Sequence, residues 1–274
     1  MVFRAPLRPP PSNNLAVSDA LQELGMPAMT SAMRGCRICV EKPRGIPLPH
    51  APRPIFQVAA GVRLVIASQA PGIRAHTSGI PFQDPSGVRL RHWMALDEAR
   101  FYDPSRVAIL PMGFCFPGHD DSKGDLPPRL ECRAAWHDEV FAALPAVDTV
   151  LAIGLHAIRY HAHRLGIARP AGQGLGETVA DWRRYFERPA PRMLPLPHPS
   201  WRNSHWLKRN PWFESDLLPV LRAEVQRLVR QPAEPASNRR VLESLAEGEG
   251  RGEAVLGLGG RRRERGCGAD QVEP

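Results

Sequence analysis

The stretch Val62-Arg-Leu-Val-Ile-Ala-Ser68, followed at once by Gln69-Ala-Pro-Gly72, decides the fold class of this chain. Its first part is a run of β-branched and leucine side chains, which is typical of a buried strand. Its second part predicts a tight turn, because Pro71 fixes the bend and Gly72 lets the backbone approach a ligand closely. Three further runs of the same kind lie outward along the chain, at Arg106–Met112, Asp148–Gly154 and Arg192–Leu196.

Helical patterns separate these four strand-like runs. Apolar residues spaced for one face of a helix occur in Gly87–Ala99, Arg129–Leu144, Leu155–Leu165 and Trp212–Leu228. Strands that alternate with helices predict an α/β fold, here a three-layer α/β/α sandwich with a central four-stranded parallel sheet. In open sheets of this kind, ligands bind beyond the carboxyl ends of the strands. We therefore expect a site where three unusual loops leave that edge, at Gln69–Asp84, Gly113–Pro128 and Pro197–Asn210.

The two ends of the chain differ in composition from its middle. Residues 1–30 are expected to be a mostly disordered, proline-rich arm, with a helix over residues 18–33 that is interrupted at Pro27. Residues 231–274 are rich in Gly, Glu and Arg, and they are expected to be a disordered tail. Residues 31–230 remain as a single folded domain, which is long enough to bury one core of ordinary size.

The positive charge of the chain lies in this middle part. The chain carries a net charge of +8, whereas residues 231–274 carry −1 and residues 1–30 carry none, so residues 31–230 carry +9. A basic folded domain favours a polyanionic partner, although a generally basic proteome would give the same balance. No apolar run is long enough to span a bilayer, and the N-terminus lacks the pattern of a signal peptide. These features predict a cytoplasmic protein.

Four cysteines have the spacing of metal ligands. They are Cys36-x-x-Cys39 and the widely spaced pair Cys115 and Cys132, while a fifth, Cys267, lies in the tail. Four thiolates can hold a [4Fe–4S] cluster or a tetrahedral zinc ion, and the spacing does not separate the two. Buried cysteines without a ligand are the third interpretation. This usage favours a reducing compartment over a disulfide framework.

Three short motifs carry a family resemblance. The segments Ser68-Gln-Ala-Pro-Gly72, Gly79-Ile-Pro-Phe82 and His198-Pro-Ser200 resemble the uracil-DNA glycosylase superfamily over roughly residues 34–228. With the four cysteines, the chain is most similar to the iron–sulfur branch called family 4. Met112–Gly118 and Asn210–Phe213 resemble a less characterised, glycosylase-like subgroup. The resemblance implies a uracil-DNA glycosylase-like domain at residues 31–230 and favours a structural [4Fe–4S] cluster over zinc.

The resemblance also implies a function and a set of site residues. The expected function is hydrolysis of the N-glycosidic bond of uracil, or of another deaminated base, in base excision repair. Gln69, with Ala70, Pro71 and Gly72, would lie against the flipped base and position water, and Phe82 would stack on the base. His198 would donate a hydrogen bond to the departing base anion.

The loop after the fourth strand is expected to contact DNA. A phosphate contact is implied for Ser200, and Trp201, Arg202 and Asn203 occupy the region from which the family inserts a wedge into the duplex. Basic side chains there would add phosphate contacts, and a solvated charged loop is the plain alternative. The expected DNA-binding residues are Ser200, Trp201, Arg202, Asn203, Lys208 and Arg209.

The chain departs from the family 4 pattern at several positions. Gln69 stands where many members have Glu, and Ala75-His76 stands where an acidic pair is expected. The first loop therefore lacks an obvious carboxylate, so Asp84 or His76 is the candidate that activates or orients water. Pro111 replaces an Asn that reads the uracil edge, and its side chain has no donor or acceptor. The choice of base is therefore open.

Two other functions fit the sequence. A catalytically weak or inactive protein of the same fold could recognise damaged or single-stranded DNA without turnover. An α/β metalloprotein could instead bind a small nucleotide. We expect DNA with deaminated bases as the partner, with no membrane and no obligate protein partner, and a monomer associated with the nucleoid.

Overall fold

A four-stranded parallel sheet forms the centre of the molecule. The computed structural model describes residues 25–122 and 124–230 of the chain. The strands are β1 (Leu64–Ala67), β2 (Val107–Ile109), β3 (Thr149–Ile153) and β4 (Arg192–Leu196). Their order is β2-β1-β3-β4, and every neighbouring pair is parallel. Each strand falls inside one of the four predicted runs, so this part of the prediction is confirmed.

Helices cover both faces of the sheet. The longer ones are α1 (residues 25–34), α4 (Pro85–Met94), α6 (Leu130–Ala142), α7 (Leu155–Arg164) and α11 (Leu218–Arg230). The shorter ones are α2 (Ile38–Glu41), α3 (Ile73–Ser78), α5 (Glu98–Phe101), α8 (Leu175–Ala180), α9 (Trp182–Phe186) and α10 (Ser204–Arg209). A 3-10 turn (Trp201–Asn203) precedes α10, and a π-helical turn (Phe213–Leu217) precedes α11.

The alternation of β1 side chains divides the core into two parts. Val65 and Ala67 pack in a cluster with buried residues of α1, α6 and α7. Leu64 and Ile66 face the other way and pack with buried residues of α4, α9 and α11. Because successive side chains of a strand point to opposite faces, both faces of the sheet are buried. The three-layer α/β/α sandwich is therefore confirmed.

The first helix differs from its prediction in one respect. Residues 25–34 are helical without an interruption at Pro27. Gly25 has a positive φ of 76°, so regular helical geometry begins after it, and Pro27 falls in the first turn. Proline is tolerated there because its missing N–H would have no partner in that turn.

Several predictions fall outside the described residues. The part of the predicted helix before residue 25, the proposed arm before that residue and the proposed tail at 231–274 all lie there, as does Cys267. In the part of the chain that the structure describes, no helix has the length and apolar character needed to cross a bilayer.

Candidate active site at the carboxyl edge of the sheet

Parallel pairing continues past the ends of β1 and β2 and fixes the two loops that follow them side by side. The N–H of Met112 donates to the carbonyl of Ser68 at 2.8 Å, and the N–H of Gly113 donates to that of Gln69 at 2.9 Å. A cavity of about 550 Å³ opens where these loops meet the segment that follows β4. It is lined by ten of the predicted site residues: Gln69, Ala70, Pro71, Gly72, Phe82, Asp84, His198, Ser200, Trp201 and Arg202.

Gln69 lies close to the first residue after β3. A Cβ added to Gly154 would lie 2.6 Å from Nε2 of Gln69. Gly154 also has φ 81° and ψ 162°, a conformation that only glycine adopts readily. The end of β3 therefore carries no side chain, which leaves room for the Gln69 amide beside the cavity.

Phe82 reaches the cavity through an unusual backbone conformation. Its φ of 57° lies in the left-handed region, which a bulky residue rarely adopts. The next turn holds it, because Asp84 caps α4 by accepting a hydrogen bond from the Gly87 N–H at 2.9 Å. A Cβ on Gly87 would lie 1.7 Å from the Phe82 carbonyl oxygen, so the helix packs directly on the Phe82 backbone. Strained residues of this kind cluster at functional sites.

His198 lies two residues beyond β4, in a braced loop. The Asn203 amide donates to the His198 carbonyl at 2.7 Å, and Arg89 of α4 donates to the Ser200 carbonyl at 2.9 Å. Burial lowers the pKa of His198, and the carboxylates of Asp84 and Asp125 oppose that shift only in part. Its imidazole is therefore neutral at pH 7 and has one N–H to donate.

Four of the predicted catalytic and DNA-binding residues do not line the cavity. Ala75 points into it, so His76, the next residue on the short helix α3, faces elsewhere. The His76 ring lies 4.3 Å from the His50 ring and 5.8 Å from that of Phe116, measured between centroids. The Asn203 amide is engaged within its own loop. Lys208 and Arg209 are exposed on α10 outside the cavity.

Two ionisable side chains in the cavity were not predicted. Asp125 enters from the second loop, and His156 enters from the start of α7. The loop Gly113–Pro128 was expected to leave the carboxyl edge of the sheet, but no motif within it singles out one carboxylate. His156 follows the third strand, and the segment after that strand has no unusual composition. Burial, with the charges of Arg159 and Arg133, lowers the pKa of His156.

Pro111 also lines the cavity, at the end of the edge strand β2. The N–H groups of Leu110 and Met112 donate to carbonyls of the β1 segment. Since successive residues alternate in direction, the backbone nitrogen of Pro111 points away from β1, and no hydrogen bond to β1 is lost there. An edge strand tolerates proline at such a position. The Pro111 carbonyl accepts a hydrogen bond of 3.1 Å from Nε2 of the buried His137. The residue gives the cavity an apolar wall rather than a side-chain donor.

The four cysteines lie apart from the cavity, around the start of α6. The indole N–H of Trp136 donates to Sγ of Cys36 at 3.2 Å, and Trp136 lies one turn along α6 from Cys132. The Phe114 N–H donates to Sγ of Cys132 at 3.2 Å.

The other two thiols belong to the same region. Cys39 and Cys115 share a small buried cluster. Burial raises the pKa of the Cys39 thiol to about 11 and that of Cys115 to about 12, and Cys36 adds to both shifts. Within residues 25–122 and 124–230, no three His, Cys, Asp or Glu side chains are arranged to hold a single metal ion.

Residues 56–222 match the family model described as Uracil DNA glycosylase superfamily. The matched range spans all four strands, the cavity loops and His198, and it includes Cys115 and Cys132 but not Cys36 and Cys39. Members of this superfamily are DNA glycosylases, and some carry a [4Fe–4S] cluster.

Proposed function

This chain belongs to the uracil DNA glycosylase superfamily, and from that premise we propose that it removes a deaminated base from DNA by hydrolysing its N-glycosidic bond. One observation carries the proposal. His198 and the Gln69–Gly72 loop come from opposite ends of the matched sequence, yet they line one cavity at the carboxyl edge of the sheet. This hydrolysis requires a hydrogen-bond donor for the departing base and a loop whose backbone can approach the substrate closely, and both line this cavity.

The base would enter the cavity after it flips out of the duplex. Phe82 offers a ring on which the base stacks, and its strained backbone holds that ring in place. As the bond between C1′ and the base breaks, the electron pair leaves with the base. The neutral imidazole of His198 then donates its N–H to the oxygen that gains the charge.

The loop that carries His198 would also hold the DNA. Ser200 and Arg202 line the mouth of the cavity, next to an indole at Trp201 that is 76 % exposed. An exposed aromatic ring beside the cavity can fill the gap that the flipped base leaves. Arg202, together with Lys208 and Arg209 on α10, would neutralise phosphates.

The base itself is the open part of the proposal. Pro111 offers no side-chain hydrogen bond to a base edge, so discrimination of uracil from other deaminated bases is expected to be weak. The same residue favours the second candidate function, which is recognition of damaged DNA without turnover.

Purified protein on oligonucleotides tests the two functions against each other. Each substrate carries one uracil, hypoxanthine or xanthine, and alkali reveals abasic sites. The glycosylase proposal predicts strand breaks with at least one of these bases and none with the undamaged control. Binding without base release from any of them would favour the second function.

We also propose that Cys36, Cys39, Cys115 and Cys132 hold a [4Fe–4S] cluster with a structural role. Such a cluster takes one thiolate at each of its four irons, so its ligands surround a group larger than one ion. Hydrogen bonds from Trp136 and Phe114 to two of the sulfurs fit ligands of this kind. The ligands would join α2 to α6 and hold the loop between Cys115 and Cys132.

Metal analysis of protein purified without oxygen tests this assignment. Iron and acid-labile sulfide in equal amounts are expected, with visible absorbance typical of iron–sulfur proteins. Cys132→Ser should lose iron and lower the melting temperature, whereas Cys267→Ser should retain both. Zinc without iron in the wild-type protein would contradict the cluster.

A further inference from the structure

Asp125 brings a carboxylate to the first loop from a different part of the chain. It lines the same cavity as Gln69 and His198. A Cβ added to Gly72 would lie 3.3 Å from its Oδ2, so that oxygen lies against the turn that would position the attacking water. Between Gln69 and Gln83 the first loop contains no Asp or Glu. Asp125 therefore supplies at this place a charge that the loop lacks.

His119 holds the other carboxylate oxygen of Asp125. Its Nδ1 lies 3.1 Å from Oδ1 of Asp125, and the two residues form an antiparallel backbone bridge. The Leu126 N–H donates to the Gly118 carbonyl at 2.9 Å, which closes the same short hairpin. The His119 ring packs edge-on against Phe116 at 4.9 Å between centroids. This pairing orients the carboxylate and leaves Oδ2 towards the first loop.

Asp84, the other carboxylate that lines the cavity, is differently placed. Its Oδ1 accepts the Gly87 N–H as the cap of α4, so the side chain is fixed by its helix. A general base needs a free oxygen within reach of the water. The Oδ2 of Asp125 lies against the Gly72 turn, where that water would sit, whereas Asp84 caps the helix that supports Phe82.

We propose that Asp125, positioned by His119, is the general base for the attacking water in this reaction. The inference rests on the proposed glycosylase function. The bond between C1′ and the base breaks with its electron pair on the base, and the water oxygen bonds to C1′. One water proton passes to Oδ2 of Asp125. The base anion takes up a proton from solvent, and Asp125 returns its proton to solvent, so the products are an abasic sugar and a free base.

Single-turnover base release measures the role of Asp125. Asp125→Asn keeps the shape and removes the basic oxygen, and it is expected to slow release by roughly 10²-fold or more. Its affinity for the same oligonucleotide should not fall. Asp121→Asn, an exposed aspartate of the same loop outside the cavity, is the matched control and should react like the wild type.

Two variants separate positioning by His119 from simple loss of structure. Asn retains an N–H donor near the place of Nδ1, so His119→Asn should keep most of the rate of base release. His119→Ala should lower that rate by roughly tenfold or more, with unchanged affinity for DNA. Equal rates for the Asn and Ala variants would contradict positioning through that hydrogen bond.

Two results distinguish a wrong general base from a protein that is not a glycosylase. If Asp125→Asn matches the wild type while His198→Ala is slow, the enzyme stands and Asp125 is not its base. If the wild type releases no base, both the glycosylase and its general base are refuted.

Discussion

Phe82 has a left-handed backbone, and the residues around it show why the chain accepts the strain. The Gly87 N–H binds the Asp84 side chain, and Gly87 itself lies so close that a Cβ would sit 1.7 Å from the Phe82 carbonyl oxygen. The Phe82 ring meets that of Phe101 edge-on at 6.2 Å between centroids. The helix cap therefore sets the position of the ring that we propose stacks on the base.

Gly87→Ala tests this support directly. The added methyl must displace the Phe82 backbone, so we expect a stability loss of about 1–3 kcal/mol. Base release should fall by roughly 10²-fold, because a shift of about an ångström in a site residue has that effect. The control is Gly45→Ala, where a Cβ would meet nothing within 4 Å. Normal base release by Gly87→Ala would show that the position of Phe82 does not matter.

Local motifs were enough to predict some of the residues that line the cavity and not others. Gln69 and His198 stand in short motifs at strand ends, and the cavity contains both. His76 lies in the same loop region, but the rotation of α3 turns it away. Asp125 reaches the cavity only because the 119–125 hairpin folds back over Gly72, and such a long-range contact leaves no local pattern.

At the scale of elements, α6 and α7 bury two histidines between aromatic rings. His137 stacks on Phe114 at 5.3 Å between centroids and donates to the Pro111 carbonyl. His161 is fully buried, and neither of its ring nitrogens has a hydrogen-bond partner among the described residues. Burial lowers the pKa of both, to about 4 for His137.

This burial predicts a loss of stability in acid. The folded-state pKa of His137 lies below the value near 6.5 of an unfolded chain, so the unfolded state binds more protons as the pH falls. Stability is therefore lost from about pH 6.5 towards pH 4, and His137 alone accounts for about 2 kcal/mol between pH 7 and pH 5.

His137→Gln keeps an N–H for Pro111 and removes the titration. Urea unfolding measures how far the free energy of unfolding falls between pH 7 and pH 5. This fall should be smaller in the variant than in the wild type by about 2 kcal/mol. His163→Gln, on the exposed side of α7, is the control. An unchanged drop in the His137 variant would contradict the argument.

The elements themselves were predicted unevenly. The four strands were found because buried parallel strands form continuous apolar runs. The segment that forms α8 and α9 was not assigned, since its two short helices include Gly176 and show no sustained period, although Trp182 and Tyr185 are buried. The π-helical turn before α11 likewise leaves no pattern that distinguishes it from the helix it joins.

At the scale of the whole molecule, the charge of the folded part predicts how it meets DNA. Residues 31–230 carry a net charge of +9, and Arg202, Lys208 and Arg209 lie in or after the loop that carries His198. Phosphate contacts release counterions, so affinity should fall steeply with salt.

Arg202→Ala with Lys208→Ala should weaken binding to all DNA sequences alike. The slope of log affinity against log salt should become shallower by roughly two, about one for each lost phosphate contact. Arg230→Ala is the control, because Arg230 is exposed near the amino edge of the sheet, away from the cavity. The carbonyl of its neighbour Val229 accepts a hydrogen bond from Arg106, which directly precedes β2. An unchanged slope in the double variant would place the DNA on another surface.

The most direct test of the central claim is single-turnover base release by His198→Ala beside the wild type. The half-buried, neutral imidazole is assigned to the chemistry and not to DNA binding. The variant should therefore release base more slowly by roughly 10²–10³-fold, the scale for one lost anion-stabilising donor. Its affinity for the same oligonucleotide should remain within a few-fold of the wild type. Base release at the wild-type rate would contradict the claim that this cavity is the active site.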